Sequence, residues 1–330
     1  MLTFGSLFTG IGGIDLGFEQ AGMKCAWQCE KNRQARHVLA THWPDVPCYE
    51  DVFDVTNNNV PSVDVICGGF PCQDVSFAGK RAGLAGERSG LWFEFHRIIE
   101  EFAPQWVVVE NVPGLLSSNR GADFYTVVRG MVECGYGVSW RVLDAQYFGV
   151  AQRRRRVFIV GSLGNGRSAE ILFEREGMFG HPPARRTQGE GVTYDVAPSL
   201  TASGSGTASA GNRSGQDPVI AQVLAGSAAF GGGNTKGEID IATTLNASSQ
   251  RYDFESETLV QSMLGVRRLT PVECERLQGF PDGWTSGQSD STRYRQLGNA
   301  VAVPVARWIG ARIDGSAALT SYCIPNTQFT

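Results

Sequence analysis

Residues 3–21 read TFGSLFTGIGGIDLGFEQA, and this stretch decides the fold. Its first six residues form an apolar run that predicts a buried strand, and its last eight have the apolar spacing of a helix. Gly10, Gly12 and Gly13 lie between them, where glycine lets the backbone turn tightly and approach a ligand closely. This order of elements predicts the start of a ligand-binding α/β unit.

The same alternation of apolar strands and amphipathic helices continues to about residue 165. It predicts an α/β fold, with a mostly parallel sheet and helices on both faces. The predicted strands are Thr3–Phe8, Lys24–Glu30, Val63–Cys67, Trp106–Glu110, Gly137–Leu143 and Val157–Gly161, and the predicted helices are Ile14–Ala21, Asn32–Trp43, Leu91–Phe102 and Gly121–Cys134.

Length, charge and cysteine content narrow the class of protein. The 330 residues carry a net charge of −4 and contain no apolar run of about 20 residues, so no membrane span is expected. The N-terminus lacks a basic region followed by an apolar core, and the eight cysteines have no framework spacing, so a cytoplasmic protein is expected. Cys25 and Cys29 lack a second pair of ligands, so no metal site is predicted.

Two acidic residues favour a nucleoside ligand beside the glycine turn. Glu30 ends the second predicted strand 20 residues after Gly10, where a carboxylate can accept both ribose hydroxyls. Asp51 follows the next helix and could accept from an adenine amino group. The turn lacks the third glycine of a dinucleotide fingerprint, so an adenosine-type ligand without a pyrophosphate fits better.

A candidate nucleophile and a candidate acid follow two neighbouring strands. Cys72 lies just beyond the strand Val63–Cys67, and Glu110 ends the strand Trp106–Glu110. Parallel neighbours would bring both to one edge of the sheet, facing the ligand crevice. A thiolate can add to one carbon of an electron-poor ring while the acid neutralises charge on a ring nitrogen.

A run of four arginines enters the last predicted strand. Arg154 and Arg156 would share one strand face, because side chains alternate along a strand. Together they could hold a carbonyl oxygen and a phosphate.

With these residues in place, the chain resembles the bacterial and phage DNA (cytosine-5) methyltransferases over nearly its whole length. The segments that carry the resemblance are Leu7–Gly13, Gly69–Gln73, Glu110–Val112, the set Gln152, Arg154 and Arg156, Arg267–Pro271 with Glu273 and Arg276–Pro281, and Gln296–Val301 with Pro304. They match that family's cofactor loop, nucleophile motif, cytosine-binding motif, Gln-x-Arg-x-Arg motif, the segment after its target recognition region, and its final motif.

The resemblance implies a Rossmann-like methyltransferase fold that binds S-adenosyl-L-methionine (SAM) and releases S-adenosyl-L-homocysteine (SAH). It implies that Cys72 adds to C6 of a cytosine flipped out of duplex DNA, and that Glu110 holds N3 and the exocyclic amine. The segment Gln73–Gly90 would be a loop that closes on the DNA. Arg154 and Arg156 complete the catalytic set, the implied substrate-binding residues are Gln73, Ser76, Asn111 and Gln152, and the cofactor-binding residues are Phe8, Gly10, Gly12, Gly13, Glu30, Asp51 and Asn299.

The resemblance also divides the chain. Residues 1–170 and 288–330 would form the catalytic domain, and residues 171–287 a smaller, irregular, β-rich target recognition domain with its hinge. The base-reading candidates are Arg213, Asn234, Lys236, Gln250 and Arg251. The implied partner is double-stranded DNA, and a cognate restriction endonuclease is a candidate companion. A monomer is expected, because one protomer can carry both the cofactor site and the reading region.

Several alternatives stay open from the sequence. A related RNA cytosine methyltransferase would not need so long a variable region, and a catalytically silent relative has no chemical reason to keep the Cys72–Glu110 pair.

Lys31 stands where relatives often carry a bulky apolar residue against the adenine. The pattern from Asp195 recurs from Asp240, 45 residues on, which raises the hypothesis of two recognition units. A restriction companion, a phage defence role and an orphan regulatory role all fit the sequence.

Overall fold

A computed structural model of the chain describes residues 1–71, 90–164, 166–173, 228–231, 258–262 and 265–315. The chain forms two compact units: the first comprises Met1–Gly149, Arg155–Glu174 and Ala300–Thr330, and the second comprises Val150–Arg154 and Arg175–Asn299. Target recognition by residues 171–287 stays a prediction. In the part of the chain described, no helix is long and apolar enough to cross a membrane.

The first unit is built on a seven-stranded sheet. Every strand and helix predicted from the sequence is present to within about two residues at each end, the usual uncertainty of such boundaries. The strands are β1 Thr3–Leu7, β2 Lys24–Cys29, β3 Cys48–Tyr49, β4 Val65–Gly68, β5 Trp106–Asn111, β6 Tyr136–Asp144 and β7 Arg155–Leu163, and the helices are α1 Gly13–Gln20, α2 Arg33–His42, α3 Leu91–Phe102, α4 Ala122–Glu133 and α5 Ser168–Leu172.

The strand order is β3-β2-β1-β4-β5-β7-β6, and β7 runs antiparallel to both of its neighbours. The pairs β2–β3, β1–β2, β1–β4 and β4–β5 are parallel, so the predicted mostly parallel sheet is confirmed. Leu7 pairs with Gly68, and Gly68 pairs with Val109. The carboxyl ends of β1, β4 and β5 therefore lie side by side at one edge of the sheet.

Helices cover both faces of this sheet, as alternation along β1 shows. Phe4 packs edge-on against Phe18 of α1, with ring centroids 5.4 Å apart. Leu7 points to the opposite face, where it joins a buried cluster that includes Ile66 of β4 and Phe95 of α3. Burial on both faces explains why the central strands read as continuous apolar runs.

In its described residues, the second unit contains a small antiparallel sheet and two helices. Strands β8 Ala228–Gly231, β9 Thr258–Ser262 and β10 Gly265–Arg268 pair in the order β10-β9-β8. Helix α6, Pro271–Gln278, begins with a capping box between Thr270 and Glu273, and α7 spans Asp290–Asn299. The fully buried Glu275 accepts from Thr285 and pairs with Arg293 at 3.0 Å, which ties α6 to α7.

Helix α8, Val303–Asp314, returns to the first unit and packs on α1. Glycines make this contact close. A Cβ atom on Gly17 would lie 2.6 Å from the Cβ of Ala306, and one on Gly310 would lie 2.9 Å from Cδ1 of Phe18. The final segment of the chain thus covers the first helix.

A buried carboxylate joins α1 to the two strands beside it. Asp15 is fully buried, accepting from Oγ of Ser6 on β1 at 2.9 Å and from Nε2 of Gln28 on β2 at 2.8 Å. The Cys25 thiol lies 3.8 Å from the same carboxylate. Burial raises the pKa of Asp15 to about 6, despite the hydrogen bonds that favour its ionised form.

We expect Asp15 to make the stability of the first unit depend on pH. Because folding raises its pKa from 3.8 to about 6, Asp15 stabilises the fold most below its unfolded pKa, and this contribution is lost as the pH rises through about 6. The loss amounts to about 3 kcal/mol. Asp15→Asn, which stays neutral, should gain most of that amount in unfolding free energy relative to wild type between pH 4 and pH 7.5, measured by guanidinium unfolding. Parallel pH profiles for the two proteins would contradict the expectation.

Candidate active site

The glycine turn after β1 has an unusual backbone. Phe8, Gly10 and Gly12 adopt φ angles of 52°, 61° and 83°. A left-handed backbone is ordinary for glycine, but for a phenylalanine it is strained. The Phe8 ring stacks on Phe95, with centroids 6.5 Å apart.

The three glycines of the turn have different surroundings. A Cβ atom on Gly10 would meet no atom of the described residues within 4 Å, so a ligand has room there. A Cβ on Gly12 would lie 2.5 Å from the ring of Trp43, and one on Gly13 would lie 2.4 Å from the carbonyl oxygen of Val301. Gly12 and Gly13 therefore let the turn pack against the protein. A direct contact of either with a cofactor stays a prediction.

Glu30 lies beside this turn, as its position after β2 predicts. Its Oε2 accepts from the backbone N–H of Gly10 at 2.8 Å, and its Oε1 accepts from that of Asn32 at 2.6 Å. Desolvation raises the pKa of Glu30, although both hydrogen bonds and Arg36 act in the opposite direction. Each carboxylate oxygen keeps a lone pair for a further donor.

Asp51 is tied to its neighbours within the chain. Its Oδ1 accepts from the backbone N–H of Phe53 at 3.2 Å, and its Oδ2 pairs with Nζ of Lys31 at 3.1 Å. Desolvation acts to raise the pKa of Asp51, but these donors hold it below its usual value. The Lys31 side chain is 79% exposed, so this ion pair contributes little to stability. A contact between Asp51 and an adenine stays a prediction.

Glu110 and Arg156 form a shielded ion pair at the carboxyl end of β5. Arg156 Nε lies 3.0 Å from Glu110 Oε1, and the two side chains are 16% and 10% exposed. A Cβ atom on Gly69 would lie 2.6 Å from Glu110 Oε2, so the carboxylate rests against the backbone that follows β4. The predicted nucleophile, Cys72, comes one residue after Pro71, where the described segment ends.

Asn111 links the two neighbouring segments. Its Nδ2 donates to the carbonyl oxygen of Phe70 at 3.2 Å, and its Oδ1 accepts from the backbone N–H of Val112 at 2.8 Å. Phe70 in turn packs on Trp92, with ring centroids 5.6 Å apart. Asn111 thus fixes the chain two residues before Cys72, a role that its motif did not reveal. Its binding of substrate stays a prediction.

The remaining predicted site residues fall in other parts of the chain. Gln73 and Ser76 lie outside the described residues. Gln152 and Arg154 belong to the second unit and are 0% and 2% exposed, and Arg154 lies one residue before β7 begins. Among the described residues neither amide atom of Gln152 has a hydrogen-bond partner, which suits a residue that receives a ligand. Asn299, the last residue of α7, is exposed.

Sequence reasoning missed Trp43 and Asp15 as supports of the glycine turn. Trp43 was predicted only as the end of a helix, yet its ring fills the space beside Gly12. Asp15 was part of an amphipathic helix, and its one signal is that it is an acid between apolar neighbours. Among the described residues, no three acidic, cysteine or histidine side chains come together to hold a metal ion.

The sheet order, the glycine turn after β1 and the acid after β2 define this protein as an α/β methyltransferase. The sequence profile of the C-5 cytosine-specific DNA methylase family matches residues 2–315. The chain belongs to that family and is a DNA cytosine-5 methyltransferase, as the resemblance predicted.

Individual relatives agree with this assignment. The chain is 32% identical over 308 residues to the Type II methyltransferase M.BsuFI of Bacillus subtilis, covering 93% of this chain and 71% of the relative. It is 32% identical over 319 residues to the Type II methyltransferase M.NlaX of Neisseria lactamica, covering 96% and 97%. The fold is similar to that of the Entamoeba histolytica methyltransferase EhMeth, with a TM-score of 0.60 at 14% identity over 96% of this chain and 98% of that one.

Proposed function

We propose that this enzyme transfers the methyl group of SAM to C5 of a cytosine flipped out of duplex DNA, through a covalent bond between Cys72 and C6. The observation that carries the proposal is the Glu110–Arg156 ion pair, which lies against the backbone at Gly69, three residues before Cys72. A base that enters beside this pair would have its ring nitrogen, exocyclic amine and carbonyl oxygen within reach of groups of matching polarity.

The residues around the glycine turn fit SAM as the methyl donor. Gly10 leaves open space, and the Glu30 carboxylate is held beside it with lone pairs that suit two ribose hydroxyls. Phe8 and Asp51 would contact the adenine. Asn299, in the final motif, would contact the cofactor. The cofactor supplies an electrophilic methyl group, and SAH is what remains after its transfer.

The catalytic residues then act on the base. The Cys72 thiolate adds to C6, and the electron pair displaced from the C5–C6 bond makes C5 nucleophilic. Glu110 holds the exocyclic amine and a proton at N3, which neutralises the charge that develops on the ring. Arg156 orients Glu110 and, with Arg154, holds the carbonyl oxygen and a phosphate. After C5 has accepted the methyl group, loss of the C5 proton restores the double bond and expels the thiolate.

Base flipping is part of the proposal because a stacked cytosine hides both faces of its ring. Gln73, Ser76, Asn111 and Gln152 would hold the flipped nucleotide. The buried amide of Gln152, which lacks a partner among the described residues, supports this role.

We further propose that residues 171–287 read the DNA sequence and that the enzyme acts as a monomer. The relatives M.BsuFI and M.NlaX are named Type II methyltransferases. On that likeness we propose that the enzyme protects DNA against a cognate restriction endonuclease.

A trapping experiment tests the covalent step. Duplex DNA with 5-fluorocytosine should form an SDS-stable adduct with the enzyme in the presence of SAM, because fluorine at C5 cannot leave as a proton does. Cys72→Ser should give no adduct, whereas Cys134→Ser, at the half-buried end of α4, should give as much as wild type. An adduct that persists in Cys72→Ser, or forms only with RNA, would refute the proposal.

A further inference from the structure

We propose that Asp15 is a positioning residue for the cofactor loop Phe8–Gly12, which it holds through Ser6 and Gln28. The inference rests on the proposed binding of SAM at this loop. Asp15 itself is fully buried and would not touch the cofactor.

The first step of the argument is that Asp15 closes the loop at its base. Ser6 lies two residues before the loop and Asp15 three residues after it, and the Ser6 hydroxyl donates to Asp15 Oδ2 at 2.9 Å. This bond joins the strand that enters the loop to the helix that leaves it. It fixes the separation of the two ends between which the loop must turn.

The second step is that the same carboxylate also holds β2. Gln28 Nε2 donates to Asp15 Oδ1 at 2.8 Å, and two residues later Glu30 accepts from the backbone N–H of Gly10. Thr9 adds a bond across the gap, since its backbone N–H donates to the carbonyl oxygen of Cys29 at 3.1 Å. Asp15 therefore holds in place both the loop and Glu30, the proposed ribose-binding acid.

The third step is that the loop needs such a support. Phe8 has a φ of 52°, a conformation that a phenylalanine keeps only when its surroundings impose it. Without the bonds around Asp15, the segment can relax to a right-handed or extended backbone. Only the strained fraction of molecules would then bind cofactor, and the apparent affinity falls in proportion to that fraction.

The fourth step is that a carboxylate can hold both strands at once, which neither an amide nor an apolar side chain can do, although its ionisation costs stability. An apolar side chain would fill the same space without the desolvation that opposes a buried charge. An ionised carboxylate, however, accepts two strong hydrogen bonds at once, one from each strand. The titratable groups that face it are the carboxylate of Glu19 on its own helix and the thiols of Cys25 on β2 and Cys67 on β4, which burial keeps neutral.

The test measures SAH binding by isothermal titration calorimetry, together with KM for SAM, kcat and thermal unfolding. Ser6→Ala should raise the Kd for SAH and the KM for SAM about tenfold, because it removes a hydrogen bond to a charged group. Its kcat at saturating SAM should stay within about twofold of wild type, since bound cofactor restores the loop. The Kd for SAH of Asp15→Asn, which keeps one acceptor, should lie between those of wild type and Asp15→Leu.

Ser162→Ala is the matched control. Ser162 is a fully buried serine of β7 whose Oγ accepts from the backbone N–H of Ser168 at 3.1 Å, away from the loop. Ser162→Ala should lower the unfolding temperature about as much as Ser6→Ala does and leave the SAH affinity unchanged. Equal SAH affinity in wild type and Ser6→Ala, or an equal loss in Ser162→Ala, would overturn the positioning role. Failure of wild type to bind SAH would instead overturn the proposed cofactor.

Discussion

Replacing Glu110 with glutamine is expected to slow methyl transfer to duplex DNA by about 10²- to 10⁴-fold, the usual contribution of a positioned acid. The amide fills the same space but cannot carry the proton at N3. It also leaves Arg156, whose side chain is 16% exposed, beside a neutral group. Single-turnover transfer of labelled methyl groups from SAM measures the chemical step separately from product release.

Glu101→Gln is the control for this variant. Glu101 also pairs with an arginine, Arg97, at 2.9 Å, but on α3 and not at the active-site edge. The Glu101→Gln enzyme should transfer methyl groups at the wild-type rate. A Glu110→Gln enzyme that binds SAH normally and methylates DNA as fast as wild type would show that Glu110 is not the acid.

Gly13→Ala is expected to destabilise the first unit by about 3 kcal/mol, the upper part of the range for overpacking. Its new methyl group would lie 2.4 Å from the carbonyl oxygen of Val301, and a backbone atom cannot rotate away. The turn and the segment before α8 must separate, so we also expect loss of SAH binding. Thermal unfolding and calorimetry measure the two effects.

Gly10→Ala provides the comparison within the same turn. In the part of the chain that the structure describes, a Cβ there meets no atom within 4 Å, and the cost is the left-handed backbone alone, about 1–2 kcal/mol. Gly10→Ala should therefore unfold at a clearly higher temperature than Gly13→Ala. The reverse order would mean that close packing at Val301 is not what Gly13 provides.

Much of the first unit could be predicted because its signals are local. Strands β1, β4 and β5 are buried on both faces and read as apolar runs, and the glycines mark the turn after β1. The parallel pairing of β4 with β5 was predicted, and it brings Glu110 against the backbone at Gly69. The family resemblance added roles that spacing alone left open.

Other features depend on contacts that are distant in the sequence. The direction of β7 was not predicted, because a fully buried strand has the same apolar pattern whether it runs parallel or antiparallel. The pairing of Arg156 with Glu110, 46 residues earlier, was not predicted, and its contact with a carbonyl oxygen and a phosphate stays a prediction. The links from Asp15 to Ser6 and Gln28, and the fit of Trp43 against Gly12, likewise arise only when separate elements pack.

The predictions about DNA reading concern a different part of the chain. The base-reading candidates, Arg213, Asn234, Lys236, Gln250 and Arg251, lie outside the described residues, and so does the 45-residue repeat. Both stay predictions. Specificity depends on which side chains meet base edges, and composition does not determine this.

The close packing of α1 on α8 has a consequence for synthesis of the enzyme. Ala306 is added to the growing chain 289 residues after Gly17, the residue that it touches. At about 5–20 residues per second, the ribosome needs roughly 15–60 s to cover that interval. Throughout it, the face of α1 that α8 covers in the folded protein lacks that partner. The nascent chain therefore completes its first unit only after Arg175–Asn299 has been made.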